Sequence, residues 1–484
     1  MDFEIEQHTF ESPTQRRIAA TDWNGPDDPD NPRNFPFRTR CVCISILTLL
    51  AFISAFAGAI YAPAVDEIMT IFNCSYEVAV LPLTLYNLGL SFGPIVGAPL
   101  SEQYGRRAVF VFTTPIFILF MVGASFSRTL QALIVCRFFA GMFASPNINN
   151  ASATILDYTA ERYRGTVLGI YYSIPSEAAN LAPLIGGFVV RATNWRWTQW
   201  VAIVVAITIY VPTLFTPETY KRKILERRAR KQGLEDAFSR RSSPGKAIRY
   251  FFLVLIQRPL HMLFTEPIVL FVSLYNGLIF GLIYAFVTSV PWIFETYYGF
   301  DGPAQSLSYL GLSIGTGIAC LPFALIDIYY YQRRIDSYRL HHGASSRLPP
   351  KHRLVSSLIG SALIPIGLFV SGWAAERRVH WMVTITFQGV TMTGSLLVYA
   401  GASLFMLDSY GPLYGASASS STMLSRYSLS TAFPMFALQM FQVLGAGWGT
   451  SLLAFLSLLM APIPWCFWIW GESLRRRSKY EISQ

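Results

Sequence analysis

Between Tyr172 and Val190 the chain reads YSIPSEAANLAPLIGGFVV, an apolar run with one carboxylate, Glu177, near its middle. If the run crosses a bilayer, an ionised side chain there costs about 2.5–3.5 kcal/mol on insertion-based scales. Such a group needs a partner, a wet cavity or a proton. Ser173, Glu177 and Asn180 recur at i, i+4 and i+7, which gathers them on one helical face. A polar face on a membrane helix is expected to point into a cavity and away from lipid. There a carboxyl group can bind and release a proton as its exposure changes sides. Glu177 is therefore a candidate proton or cation-substrate site. Two other readings stand beside it: a neutral, hydrogen-bonded glutamate that fixes helix packing, and one that snorkels to the lipid edge.

Composition requires a membrane around that helix. Of 484 residues 52% are hydrophobic, 15% aromatic and only 14% charged, with mean hydropathy +0.39. An ordinary soluble domain carries about 25% charge. Too little charge remains here to cover the surfaces of soluble domains. Apolar runs of about 20 residues fall near 41–63, 78–99, 108–126, 130–154, 165–190, 198–215, 265–290, 304–330, 354–373, 380–406, 427–446 and 450–470. They are too long and too continuously apolar for barrel strands, so the expectation is an all-α membrane protein of twelve transmembrane helices. The one long connection, 216–263, falls between spans six and seven. It divides the chain into a tail (1–40), a six-helix half (41–215), a basic linker (216–263), a second six-helix half (264–470) and a C-terminal tail (471–484).

The net charge of +10 forms no basic stripe with interleaved aromatics, so nucleic acid is not an expected partner. The basic residues sit between apolar runs and orient the chain. With both termini in the cytoplasm, about 32 of the 38 Lys and Arg residues fall on that side. Asn73, in the sequon Asn73-Cys74-Ser75, then lies in the first outward loop as a glycosylation candidate. Within the linker, YKRKILERRARKQGLEDAFSRR reads either as an amphipathic basic helix on anionic headgroups or as a solvated segment that enforces topology. The six cysteines show no metal spacing and no disulfide framework. Cys41 and Cys43 are packing residues or palmitoylation sites at a span edge. No cleavable signal peptide is expected from the polar residues 1–40.

Between spans two and three stands GPIVGAPLSEQYGRRAVF. Gly97 and Gly105 permit close approach and a tight turn, while Glu102, Arg106 and Arg107 put opposite charges into a very short loop. This resembles the signature loop of the major facilitator superfamily, with Glu102 where aspartate is commoner. LIVCRFFAGMFAS resembles the family's second motif, with Arg137 as its buried arginine and Gly141 four residues on. DPDNPRNFP, PETYKRKILERRARK, TEPIVLFVSLYNGLIFGLIYAF and DSYGPLYGASASSSTMLSRYSLSTAFPMF resemble fungal members of the drug:proton antiporter branch. The resemblance covers nearly the whole chain beyond residue 20. It implies two rocking lobes, an inner-gate latch at the signature loop and proton coupling that involves Arg137. Bonding of Arg137 to backbone carbonyls is the structural alternative. In span five the branch's antiporter motif is altered: Ala178 and Ala182-Pro183 precede Gly186-Gly187, so alanines replace two glycines. Small side chains at i, i+4 and i+8 keep close packing open to this helix.

The expected substrate wall comprises Tyr86, Asn87, Asn147, Asn150, Asn180, Tyr275, Asn276, Tyr284, Gln388, Phe433, Gln439 and Gln442. Aromatic faces with sparse amides suit a lipophilic ligand, a cationic one included. Of Asn147, Asn149 and Asn150, at most two can line a cavity. The leading expectation is proton-coupled export of small amphipathic molecules: drugs, polyamines or a fungal secondary metabolite. Uptake by symport or uniport is the alternative. An integral membrane enzyme would need clustered nucleophiles, metal ligands or a cofactor loop, and none stands out in the sequence. A receptor or scaffold would more naturally carry a folded extramembrane domain. The expected partners are a small-molecule substrate, protons and the bilayer, with no cofactor or metal and a monomeric state. The expected location is the cell membrane, or else the vacuolar membrane.

Overall fold

The computed structural model describes residues 22–232, 253, 256–343 and 348–480. Within these residues the chain is helical, without strands. Spans one to six are Phe37–Ala59, Tyr76–Tyr104, Arg106–Ser125, Leu130–Tyr158, Arg164–Ala192 and Trp195–Thr213. Span seven is Pro267–Tyr298. Span eight, Leu310–Leu325, runs through a π-helical turn, Ile326–Gln332, into Arg333–His342. Span nine is Val355–Glu376. Spans ten to twelve lie within Trp381–Met460, which bends back at Gly411 (φ 59°) and Gly445 (φ 78°). Pro462–Arg476 completes span twelve. The twelve expected spans are all present.

Local chemistry sets several boundaries. Thr129 and Asn194 accept bonds from the backbone N–H groups of Ala132 and Arg196, capping spans four and six. Spans two and four approach so closely that a Cβ on Gly141 would lie 2.1 Å from the Tyr86 carbonyl oxygen. A Cβ on Gly89 would lie 2.2 Å from that of Phe138. Without a hydrophobic force between helices in lipid, such small-residue contacts let backbones pack. Leu119, Val204, Ile318 and Leu459 are exposed and form part of the lipid-facing belt.

One boundary differs from expectation. The loop expected at 407–426 contracts to the turn at Gly411, and span eleven starts directly after it. Ser420, Ser421 and Thr422 return their hydroxyls to the carbonyls of Ala416, Ser417 and Ala418, so this serine-rich stretch satisfies itself inside a helix. Arg426 consequently moves from a loop into the bundle.

The face that carries the linker, here the basic face, is braced by the N-terminal segment. Lys221–Lys231 forms a helix with Leu225 and Ala229 buried beneath it. Arg228 pairs with Asp28 (2.7 Å) and Asp30 (2.6 Å), and Lys221 with Asp22 (2.5 Å). Part of the basic linker helix thus engages this chain's own acidic segment. The rest of the expected helix, from residue 233, lies outside the described residues.

Candidate functional site

The two halves meet along spans five and eight and along spans two and eleven. A central chamber lies at their junction, lined by spans one, two, four, five, seven, ten and eleven. Five tyrosines (Tyr171, Tyr172, Tyr284, Tyr399 and Tyr427) face it, together with Asn149 and Arg426. Its volume is about 70 Å³. Organic-ligand sites are about 300–1,000 Å³, so the halves must part before a substrate fits. A second chamber of about 550 Å³ lies towards the face opposite the linker. It holds Asp66, Glu67, Glu77 and Glu295 against a single cation, Arg191, and shares no lining residue with the first.

On the basic face, two charge clusters brace the helix ends. Arg106 and Arg107 present their backbone N–H groups to Glu218 Oε1 (2.8 Å) and Oε2 (3.2 Å), at the end of span six. Arg106 Nε also lies 3.6 Å from Asp157 of span four. Gly105 has φ +98°, and a Cβ there would lie 2.4 Å from Glu218. Glu102 is exposed, so the acids that hold this loop are Glu218 and Asp157. The loop residues themselves, Gly97 included, pack within the N-terminal half. Gly97 sits against Pro146 of span four.

The second cluster crosses between the halves. The Thr166 hydroxyl of span five donates to Asp327 Oδ2 at 2.5 Å. Arg353 donates to Asp327 Oδ1 (2.7 Å) and to Asp408 Oδ2 (2.9 Å). Arg162 reaches Asp336 at 3.0 Å nearby. Asp327 lies in the π-helical turn of span eight, a distortion that often marks functional positions. A carboxylate inside the expected run 304–330 was available as a sequence signal, by the reasoning applied to Glu177.

Glu177 itself faces Ser313 of span eight, and it lies outside both chambers. Its Oε2 and the Ser313 hydroxyl are both buried there, with no partner besides each other. On the same face Asn180 donates to Thr316 (2.9 Å), and the Cys320 thiol to Ser173 (2.9 Å). The polar face expected to meet a cavity instead lies along the seam between halves. The Ala178, Ala182 and Gly186 stripe turns the other way. A Cβ on Gly186 would be 2.5 Å from the Ile60 carbonyl oxygen, and one on Gly187 2.1 Å from Ser306. Pro183 is buried between these positions.

Arg137 is fully buried. It donates to the carbonyls of Ala57 (2.7 Å), Gly58 (2.7 Å) and Pro82 (3.2 Å) and to Gln199 Oε1 (3.2 Å). The rings of Tyr86 and Tyr61 lie 4.7 and 5.3 Å away. It therefore ties spans one, two, four and six.

The expected wall residues scatter. Tyr284 lines the central chamber, and Gln439 and Gln442 line the acidic one. Tyr86 donates to the Ser54 carbonyl (2.6 Å) beneath Arg137, and Asn87 to the Ser430 carbonyl (3.5 Å) across the halves. Asn147 bonds Thr114 and Ser54, while Asn276 donates to Ser403. Asn150, Tyr275 and Gln388 are buried in the packing, each with an unpartnered polar atom. Phe433 packs on Gly281. With about 100° between successive helical residues, Asn149 faces the chamber while its neighbouring amides turn into helix contacts. Asn73 ends the short helix Val65–Phe72 in a left-handed conformation, exposed opposite the basic face.

Comparison with known proteins places this architecture in a family. The family model described as Major Facilitator Superfamily matches residues 47–434. Efflux pump radE of Floropilus chiversii is 31% identical, over 97% of this chain and 87% of that protein. The multidrug transporter FLU1 of Candida albicans is 32% identical, over 95% and 75%. Polyamine transporter 4 of Saccharomyces cerevisiae is 31% identical, over 95% and 73%. The partially occluded inward-open structure of the xylose transporter XylE from E. coli superposes with TM-score 0.62 at 16% identity, covering 89% of this chain and 98% of that one. The chain belongs to the Major Facilitator Superfamily and is a multi-pass membrane transporter that works by alternating access.

Proposed function

We propose that this protein exports a small amphipathic molecule in exchange for protons, with its basic face in the cytoplasm of a fungal cell and its location in the cell membrane. The observation that carries the reading is the Thr166–Asp327 contact, which joins the halves on the basic face beside a chamber too small to hold its cargo. Opening that contact gives the central chamber a route to the cytoplasm; re-forming it commits the cargo to the opposite side. Glu177, on the seam that must shear, is the protonation site of this cycle. Its buried oxygen is hydrated in one state and dry in the other, so the proton follows the rocking. Arg137 keeps spans one, two, four and six together as one lobe. Support for export over uptake comes from the names of relatives, an efflux pump and a multidrug transporter among them. The protein acts as a monomer, and Asn73 carries a glycan.

The test is transport by purified protein in vesicles with an imposed pH gradient and a panel of lipophilic acids, amines and neutral compounds. Exchange of at least one compound against protons, abolished by an uncoupler, is the expected result. Transport that ignores the gradient, or movement of proton and compound in the same direction, contradicts the reading.

A further inference from the structure

We infer that the central chamber receives an acidic oxygen of the substrate on Arg426, so that the cargo is a lipophilic or aromatic acid. This narrows the export reading and rests on it. Arg426 stands on span eleven, lines the chamber and is only 4% exposed. Phe280, Tyr427 and Tyr399 surround its guanidinium, with ring centres at 4.4, 4.6 and 5.3 Å. Its terminal nitrogens meet the hydroxyls of Tyr399 and Tyr427, while Nε is buried without an acceptor.

Among the described residues the other two buried arginines are matched by acceptors. Arg353 has two carboxylates, and Arg137 has three carbonyls and an amide oxygen. Among the described residues no carboxylate lies within ion-pair distance of Arg426, and it is the one charged side chain in the chamber lining. Ring faces stabilise a desolvated guanidinium, yet leave its full charge in place. A carboxylate would neutralise that charge and can accept two parallel N–H bonds from it. An ammonium would meet a like charge in a dry site, and the ring faces it would seek are already taken.

The experiment uses the purified full chain and three probes of one shape: 1-pyrenebutyric acid, 1-pyrenebutanol and 1-pyrenebutylamine, with binding read from pyrene fluorescence. The acid should bind about tenfold tighter than the alcohol or the amine, or better. Arg426→Gln should erase that preference while retaining alcohol binding, and Arg426→Lys should retain part of it. Equal affinities in the wild-type chain, preference for the amine, or preference for the acid surviving in Arg426→Gln would overturn the inference. The wild-type order decides even if neither variant folds. Gradient-driven exchange of the amine alone would remove this inference and leave the export reading standing. Absence of any gradient-driven movement across a broad panel would remove the export reading itself.

Discussion

The Thr166 hydroxyl and the Asp327 carboxylate meet at 2.5 Å across the boundary between the two halves, on the face that carries the linker. Arg353 holds the same carboxylate at 2.7 Å, so the threonine docks on an acid fixed by its own lobe. Asp327→Asn should therefore loosen the closed arrangement more than Thr166→Ala does. Loss of one partner from a buried ion pair costs about 3–5 kcal/mol, against about 1.5–3 kcal/mol for a hydrogen bond to a charged group. Thiol labelling of a cysteine at Ser419, on the chamber wall, should rise strongly in Asp327→Asn and slightly in Thr166→Ala. Equal labelling in wild type and Asp327→Asn would deny the contact a gating role.

The seam between spans two and four predicts a stability pattern. Gly89→Ala and Gly141→Ala push a methyl group onto a neighbouring backbone carbonyl that cannot step aside. Each should lower the melting temperature in detergent, at a cost of about 1–3 kcal/mol. Gly317 has nothing within 4 Å of an added Cβ. Gly317→Ala should hold or raise the melting temperature, since alanine favours a helix by about 0.5–1 kcal/mol.

Glu177 predicts a separation of coupling from passage. Glu177→Gln keeps the shape of the side chain and removes its titration. Gradient-driven transport should fall by tenfold or more (about 1.4 kcal/mol), while exchange of substrate for substrate without a gradient persists. Vesicle assays with and without a gradient measure both. An unchanged response to the gradient would take Glu177 out of the proton path.

The acidic segment at the N-terminus predicts a salt-sensitive, pH-tolerant brace. The Arg228 hydrogen bond holds the Asp28 carboxyl down at about 2. A carboxyl lowered on folding contributes fully above its unfolded value, about 3.9, and loses that contribution as pH falls through the folded value. Protection of residues 221–231 from hydrogen exchange should thus be flat between pH 5 and 8 after correction for intrinsic rates. It should fall in high salt and in Arg228→Ala. A loss of protection between pH 8 and 5 would contradict the pairing.

The spans were legible because about 20 apolar residues bounded by charge admit few readings in lipid. Span eleven was less so. Hydropathy counts the serine hydroxyls near 420 as polar, whereas the helix absorbs them through bonds to its own carbonyls. That error also concealed Arg426, which reads as a loop cation until Gly411 is seen to turn the chain. Glu177 was visible as an anomaly, but its direction was not. Periodicity groups Ser173, Glu177 and Asn180 on one face without telling a cavity from a neighbouring helix. Asp327 and Arg353 lie 26 positions apart, and their pairing depends on how spans eight and nine fold back, which no local pattern encodes.

Arg162 and Asp336, 3.0 Å apart across the halves on the basic face, offer the most direct test of rocking about the central chamber. Cysteines would replace both in a chain lacking its six native ones, joined by a short reducible crosslinker, with exchange followed in vesicles. Exchange should stop on crosslinking and return on reduction. Undiminished exchange by the fully crosslinked protein would contradict alternating access through this gate.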